Sequence, residues 1–362
     1  MSIHYQLHCR DPHGHLLAID QQFDCPGDSV ELWLPNWLPG SYLIRDFARH
    51  IISITAEQLG QPCRIDKLAK HRWLIHGQAG PLSVHYEVYA FDESVRGAYL
   101  DQYRLFFNAS AVLLAVRGQE RHPHYLQLAT LVDDSWQVAT TLPRQGNDQQ
   151  LRFSATDYAT LIDHPLAAGH CQWLHFAVAG VPHSMALFGA PAFDNQRLAA
   201  DLQRGCAAAA RLFAGPLPFS RYLFLLQVES EGYGGLEHRD CTALLCSRRD
   251  LPQATTSLDE HHYRNFLALC CHEYFHAWNI KRLAPQPLLA PDLEQEVHSE
   301  QLWWYEGITS YYDELLLRAG LLNSSQYLQM LSETLTRVYR HPGRFCQSGS
   351  LCAEWFSRAL AG

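Results

Sequence analysis

The stretch Leu267–Arg282 reads LALCCHEYFHAWNIKR, and within it His272-Glu273-Tyr274-Phe275-His276 forms an H-E-x-x-H arrangement. On a helix, positions i and i+4 lie one turn apart on one face. Two imidazoles so placed can share one zinc ion, with Glu273 beside them to handle a proton. The flanks predict the helix. Ser257-Leu258-Asp259-Glu260 has the S-x-x-E pattern of a capping box. Phe266, Leu269 and Cys270 recur at spacings of three and four, as on a helix with one buried face. Lys281 and Arg282 are expected near its C-terminal end, and Pro285 stops continuation. A core helix can carry two histidines by chance in a chain that has 21 of them. The reading therefore turns on a third ligand.

Leu302–Tyr312, LWWYEGITSYY, opens a second helical stretch closed by Gly320. Glu306 lies thirty residues after His276, enough for a loop through Pro285, Pro287 and Pro291 and a return helix. Two His and one Glu leave a fourth position for water, the open site of a catalytic zinc. An unpaired carboxylate next to Trp303, Trp304 and Tyr305 would be costly to bury, which favours a cation partner. Ser310 and Asp313, at i+4 and i+7 from Glu306, share its face. A carboxylate there can accept the free N–H of a ligating histidine, so Asp313 is a candidate supporting residue. Gly234-Gly235-Leu236-Glu237-His238 follows a strand-like run. Its glycines, Gly234 and Gly235, would let a substrate backbone approach, and Glu237 could receive a free ammonium.

The remaining composition bounds the answer. With 362 residues, 47% of them hydrophobic, the chain can hold two domains or more. A formal net charge of −9 argues against a nucleic-acid partner. No long apolar run or basic amphipathic helix suggests a membrane. Met1-Ser2-Ile3-His4-Tyr5 lacks the basic start and apolar stretch of a signal peptide. The 11 cysteines, with no C-x-x-C, fit reduced thiols, and a cytoplasmic location is expected. Residues 1–168 read as a β-rich domain. Ser29–Leu34 and Leu82–Tyr89 alternate polar and apolar residues, and Gly and Pro punctuate the runs. An antiparallel β-sandwich is the economical expectation there. Residues 169–362 read as α+β: strands over Trp173–Phe188, a helix from the Asp194 cap through Ala214, a strand over Arg221–Val228, then the zinc helices and a last helix over Ser325–Tyr339.

These motifs resemble the glycyl aminopeptidase family of zinc metallopeptidases, which carry a thermolysin-like catalytic domain. The resemblance rests on HEYFHAWNIKRLAP (His272–Pro285), LWWYEGITSYYDELLLRAG (Leu302–Gly320), GGLEH (Gly234–His238), LPNWLPGSYLIRDFARH (Leu34–His50), LIDHPL (Leu161–Leu166) and RVYRHPGRFCQS (Arg337–Ser348). It implies zinc ligands His272, His276 and Glu306, with Glu273 as the general base that activates a zinc-bound water. It implies that Glu237 meets the substrate's α-ammonium. The expected substrates are peptides with a free N-terminus and a small first residue, Gly or Ala. The family continues with a catalytic tyrosine segment and a PDZ domain, and Gly349–Gly362 does not follow that pattern. The expectation is a catalytic domain incomplete at its C-terminus, either cut short or altered in reading frame, or a short natural variant. Losing an oxyanion donor costs roughly 10²–10³ in rate. A zinc-binding but catalytically impaired chain and an endopeptidase with the same zinc chemistry therefore remain open readings.

Overall fold

The computed structural model describes residues 1–345 apart from Tyr42, 147–149, Ala214, 256–259 and His298. Two compact units result. The first comprises Met1–His170 with Leu293–Glu296, the second Cys171–Asp292 with the chain from Val297 on.

Alternation in the sequence becomes two-faced strands in the first unit. Along Gly80–Tyr89 the side chains of Leu82, Val84, Tyr86 and Val88 are buried while Ser83, His85 and Tyr89 face solvent. This strand lies in an eight-stranded sheet, between Leu16–Cys25 and Ile51–Gln58. Two four-stranded sheets complete the unit, one centred on Ser29–Trp33 and Arg72–His76, the other on Leu166–Gly169 and Arg104–Phe107. The expected all-antiparallel pairing needs one correction. Ile3–Asp11 runs parallel to His124–Thr130. Such a pairing joins strands more than a hundred residues apart, beyond the reach of any turn signal. Within the same unit, Leu293–Glu296 is firmly held. The Glu294 carboxylate is 2.9 Å from His71 Nε2 and 2.6 Å from Arg117 Nη2. The Asn36 and Trp37 amides donate to the Leu293 carbonyl.

The second unit is built on a five-stranded mixed sheet. Its order is Cys171–Val178, Val181–Phe188, Tyr222–Glu229, Cys241–Ser247, Gly234–Glu237. The first two strands form a hairpin whose two-residue loop, Ala179-Gly180, has φ of 49° and 80°. Positive φ at both positions matches the right-handed twist of the strands. Val181–Phe188 then connects to its parallel neighbour Tyr222–Glu229 through the helix Asn195–Leu212. Asp194 caps that helix by accepting from the Arg197 amide. It ends at Leu212, short of the expected Ala214, which lies outside the described residues.

One face of the sheet meets the helices. Phe224, Leu226 and Val228 pack with Leu198, Leu202 and Ala209 of the first helix. Tyr263, Phe266, Cys270 and Tyr274 of the helix His261–Phe275 and Leu316 and Leu317 of the helix Thr309–Gly320 complete this core. Each large apolar side chain fully buried there contributes about 1.5–3 kcal/mol. The helices run close: a Cβ at Gly320 would stand 2.9 Å from the Arg204 carbonyl oxygen. The last described α-helix, Ser324–Arg340, starts in a capping box between Asn323 and Gln326.

Candidate metal centre

Two expected helix ends need correction before the site can be built. The helix carrying the histidines begins at His261 with Glu260 as its N-cap, whose side chain makes no cap hydrogen bond; Ser257 lies outside the described residues. It closes at Phe275 with His276 as C-cap, several residues before Lys281 and Arg282. His276 keeps helical φ and ψ of −60° and −19°, so the i, i+4 relation of the two histidines survives. Beyond it the chain turns sharply at Ile280, whose φ is 95°. A β-branched residue there is strained by on the order of 1–3 kcal/mol, and such strain persists only where the surroundings over-determine it.

The returning segment is also not a plain helix. Trp303–Ile308 forms a π-helical turn, widened by one residue, before Thr309–Gly320 continues as α-helix. Glu306 sits in that turn. Widened turns of this kind concentrate at functional sites.

Three donor atoms converge from these elements. His272 Nε2 lies 3.0 Å from His276 Nε2 and 3.3 Å from Glu306 Oε2. His276 Nε2 is 3.8 Å from the same oxygen. Four-coordinate bonds of 2.0–2.2 Å at tetrahedral angles would set donors about 3.3–3.6 Å apart, and the three separations bracket that range, so the donors can close on one small divalent ion. Proton bookkeeping agrees. His276 Nδ1 is 3.0 Å from the Asn279 carbonyl oxygen, which can only accept. That nitrogen therefore carries the proton and Nε2 bears the lone pair. His272 Nδ1 is likewise 3.0 Å from Asp313 Oδ2. Burial pushes both imidazoles down to about 4, so both are neutral at pH 7. Two lone pairs and a carboxylate oxygen thus point at one another, an arrangement that a cation resolves. Burial, with Asp313 adding to it, raises Glu306 to about 8, which a bound cation would reverse. Glu306 and Asp313 reach opposite nitrogens of the one His272 ring, while Ser310 is exposed.

A second acidic group adjoins the first. Ligand atoms of Glu237, Glu273 and His276 lie within 4.8 Å of one another. Glu273 is 5% exposed and Glu237 6%. Burial opposes ionisation of Glu237, yet its pKa is lowered by the Lys281 ammonium, the neighbouring histidines and a backbone hydrogen bond acting together. Glu237 ends the edge strand Gly234–Glu237, whose outer side has no partner strand among the described residues. The two glycines differ. A Cβ at Gly234 would meet nothing within 4 Å, whereas a Cβ at Gly235 would fall on the Glu273 carboxylate. Gly235 leaves room for Glu273 itself. Asn279, Thr309 and Lys281 are the site's neighbours that the motif reading did not single out. Only their place just after H-E-x-x-H and just after Glu306 marks them in the sequence.

Comparisons with known proteins follow the same line. The profile of the peptidase M61 N-terminal domain matches residues 4–170, and that of the M61 glycyl aminopeptidase matches residues 265–354. Comparison with curated proteins returns no match. Among solved structures, an aminopeptidase N family protein from Idiomarina loihiensis is 44% identical with a TM-score of 0.94; the alignment covers 97% of this chain and 60% of that one. This chain thus spans 60% of that relative's length. An M1 zinc metallopeptidase from Deinococcus radiodurans has a TM-score of 0.54 at 14% identity, covering 95% of this chain and 75% of that one. A point mutant of an M1 zinc metallopeptidase from Deinococcus radiodurans, bound to a Tyr-Ser-Ala substrate, scores 0.52 at 13% identity, covering 94% and 75%. Both share the fold.

Proposed function

We propose, from the premise that this chain belongs to the M61 glycyl aminopeptidase family, that it is a zinc aminopeptidase acting on peptides with a free N-terminus and a small first residue. His272, His276 and Glu306 would hold the zinc, which when bound acidifies a water and polarises a carbonyl. Glu273 takes the proton of the attacking water and returns it to the leaving amine. The edge strand Gly234–Glu237 supports an extended substrate by adding it as a further strand.

The observation that carries the exopeptidase reading is Glu237. It is a buried, ionised carboxylate within 4.8 Å of Glu273 and His276, at the end of that strand. A charge-assisted bond from an α-ammonium to it contributes about 1.5–3 kcal/mol. Glu237→Ala is therefore expected to lower kcat/KM for free-amine substrates by roughly ten- to a hundredfold, with zinc content unchanged. N-acetylated peptides have no ammonium to lose and should show no comparable loss. Equal losses on both substrate kinds would refute the ammonium anchor. Efficient cleavage of N-blocked peptides by the unaltered chain would favour an endopeptidase.

Asp313 supports the ligand set from behind. Its Oδ2 accepts from His272 Nδ1 and so holds the ring's orientation. Burial raises the Asp313 carboxyl well above its usual range, which a bound cation would oppose, and Asp313→Asn keeps the shape while removing the ionisable group. Zinc affinity is expected to fall by roughly 10–100-fold in a competition titration with a chelator. Unchanged affinity would end this role.

A further inference from the structure

We infer that Asn279 is a positioning residue that holds the second and third metal ligands in one frame, its main chain orienting His276 and its side-chain amide fixing the turn that carries Glu306. This rests on the metal-centre reading above. The residue is 3% exposed and lies three residues after His276. Its carbonyl oxygen receives His276 Nδ1 at 3.0 Å, which aims Nε2 at the other donors. Its side chain faces the returning segment. Nδ2 donates to Thr309 Oγ1 at 3.0 Å and lies 3.4 Å from the carbonyl oxygens of Trp304 and Tyr305.

The need for that amide follows from the widened turn. An i→i+5 turn shifts the hydrogen-bond ladder by one residue, so carbonyls within it lose their usual partners. A buried carbonyl without a donor is costly. The Thr309 hydroxyl donates to the Tyr305 carbonyl, and Thr309 in turn receives the Asn279 amide. Thr309 is itself wholly buried. Glu306 stands between these anchored carbonyls and Thr309, so its backbone is gripped on both sides. The strained Ile280, at φ 95°, immediately follows Asn279. Its conformation reverses the chain where the Asn279 carbonyl must turn back on His276. One residue thus touches a ligand through its backbone and the turn of another ligand through its side chain.

The competing account makes Asn279 a simple tie between two helix ends, which would affect stability alone. Zinc competition titrations and the visible spectrum of the cobalt(II)-substituted 362-residue chain separate the two. Asn279→Ala is expected to weaken zinc binding by about 10–100-fold and to shift the cobalt bands, which report ligand geometry whatever the turnover. Thr309→Val removes the acceptor without changing the volume and is expected to shift both in the same direction. Should Asn279→Ala fail to fold, Thr309→Val decides by the same criteria. Folded variants with lowered thermal stability but unchanged affinity and superimposable cobalt spectra would overturn the inference. An unaltered chain that binds no zinc would instead overturn the metal-centre reading, and this inference with it.

Discussion

Glu273→Gln is expected to keep zinc at full stoichiometry and to lower turnover by about 10²–10⁴-fold, the range a positioned acid–base group contributes. The side chain lies on the helix that carries both histidines, and its carboxylate groups with Glu237 and with His276, the donor that the two clusters share. On the proposed metal-centre reading it would handle a proton beside the metal. Glutamine matches its shape, so packing against the edge strand is retained, and it can no longer accept a proton. Metal analysis beside hydrolysis of Gly- and Ala-anilides reads both halves. Cleavage at the unaltered rate would remove Glu273 from its role. Loss of zinc together with activity would instead place Glu273 among the groups that maintain the metal centre.

The parts legible in the sequence were those set by local spacing. His272 and His276 converge because four residues make one turn, and that relation survives even though the helix closes at Phe275. Glu306 and Asp313 both reach His272, as their seven-residue spacing suggested, although the widened turn at Glu306 alters the intervening phase and leaves Ser310 exposed. The sheet alternation of Gly80–Tyr89 is equally local. What escaped depends on contacts between distant segments. The parallel pairing of Ile3–Asp11 with His124–Thr130 has no sequence signal at either strand. Lys281 and Arg282 resemble a helix end, yet the chain has already turned, because Asn279 bonds across to Thr309 and Ile280 takes a positive φ. The π-helical turn at Glu306 is invisible for the same reason. Its displaced carbonyls draw on the Asn279 amide, twenty-five and twenty-six residues earlier in the chain, as well as on the Thr309 hydroxyl.

Gly235 shows the same limit at the scale of one atom, and it carries the second large expectation. A glycine after a strand reads as room for a ligand backbone. Here the room at Gly235 is already taken by the Glu273 carboxylate, and Gly234 is the position with open space. Gly235→Ala must therefore displace the carboxylate or push the edge strand outward. Misplacing a catalytic group by about 1 Å costs on the order of 10²-fold in rate. Gly235→Ala is expected to lower kcat by about that factor, with zinc affinity unchanged, because the three atoms nearest its Cβ all belong to Glu273 and not to the metal donors. Gly234→Ala meets no protein atom, so any effect of it should appear through substrate approach and hence in KM. Steady-state kinetics on one free-amine substrate, with zinc competition alongside, compares the two. A Gly235→Ala chain with unaltered kcat would show that Glu273 moves aside at no cost. Its closeness to the strand would then have no bearing on the proton transfer.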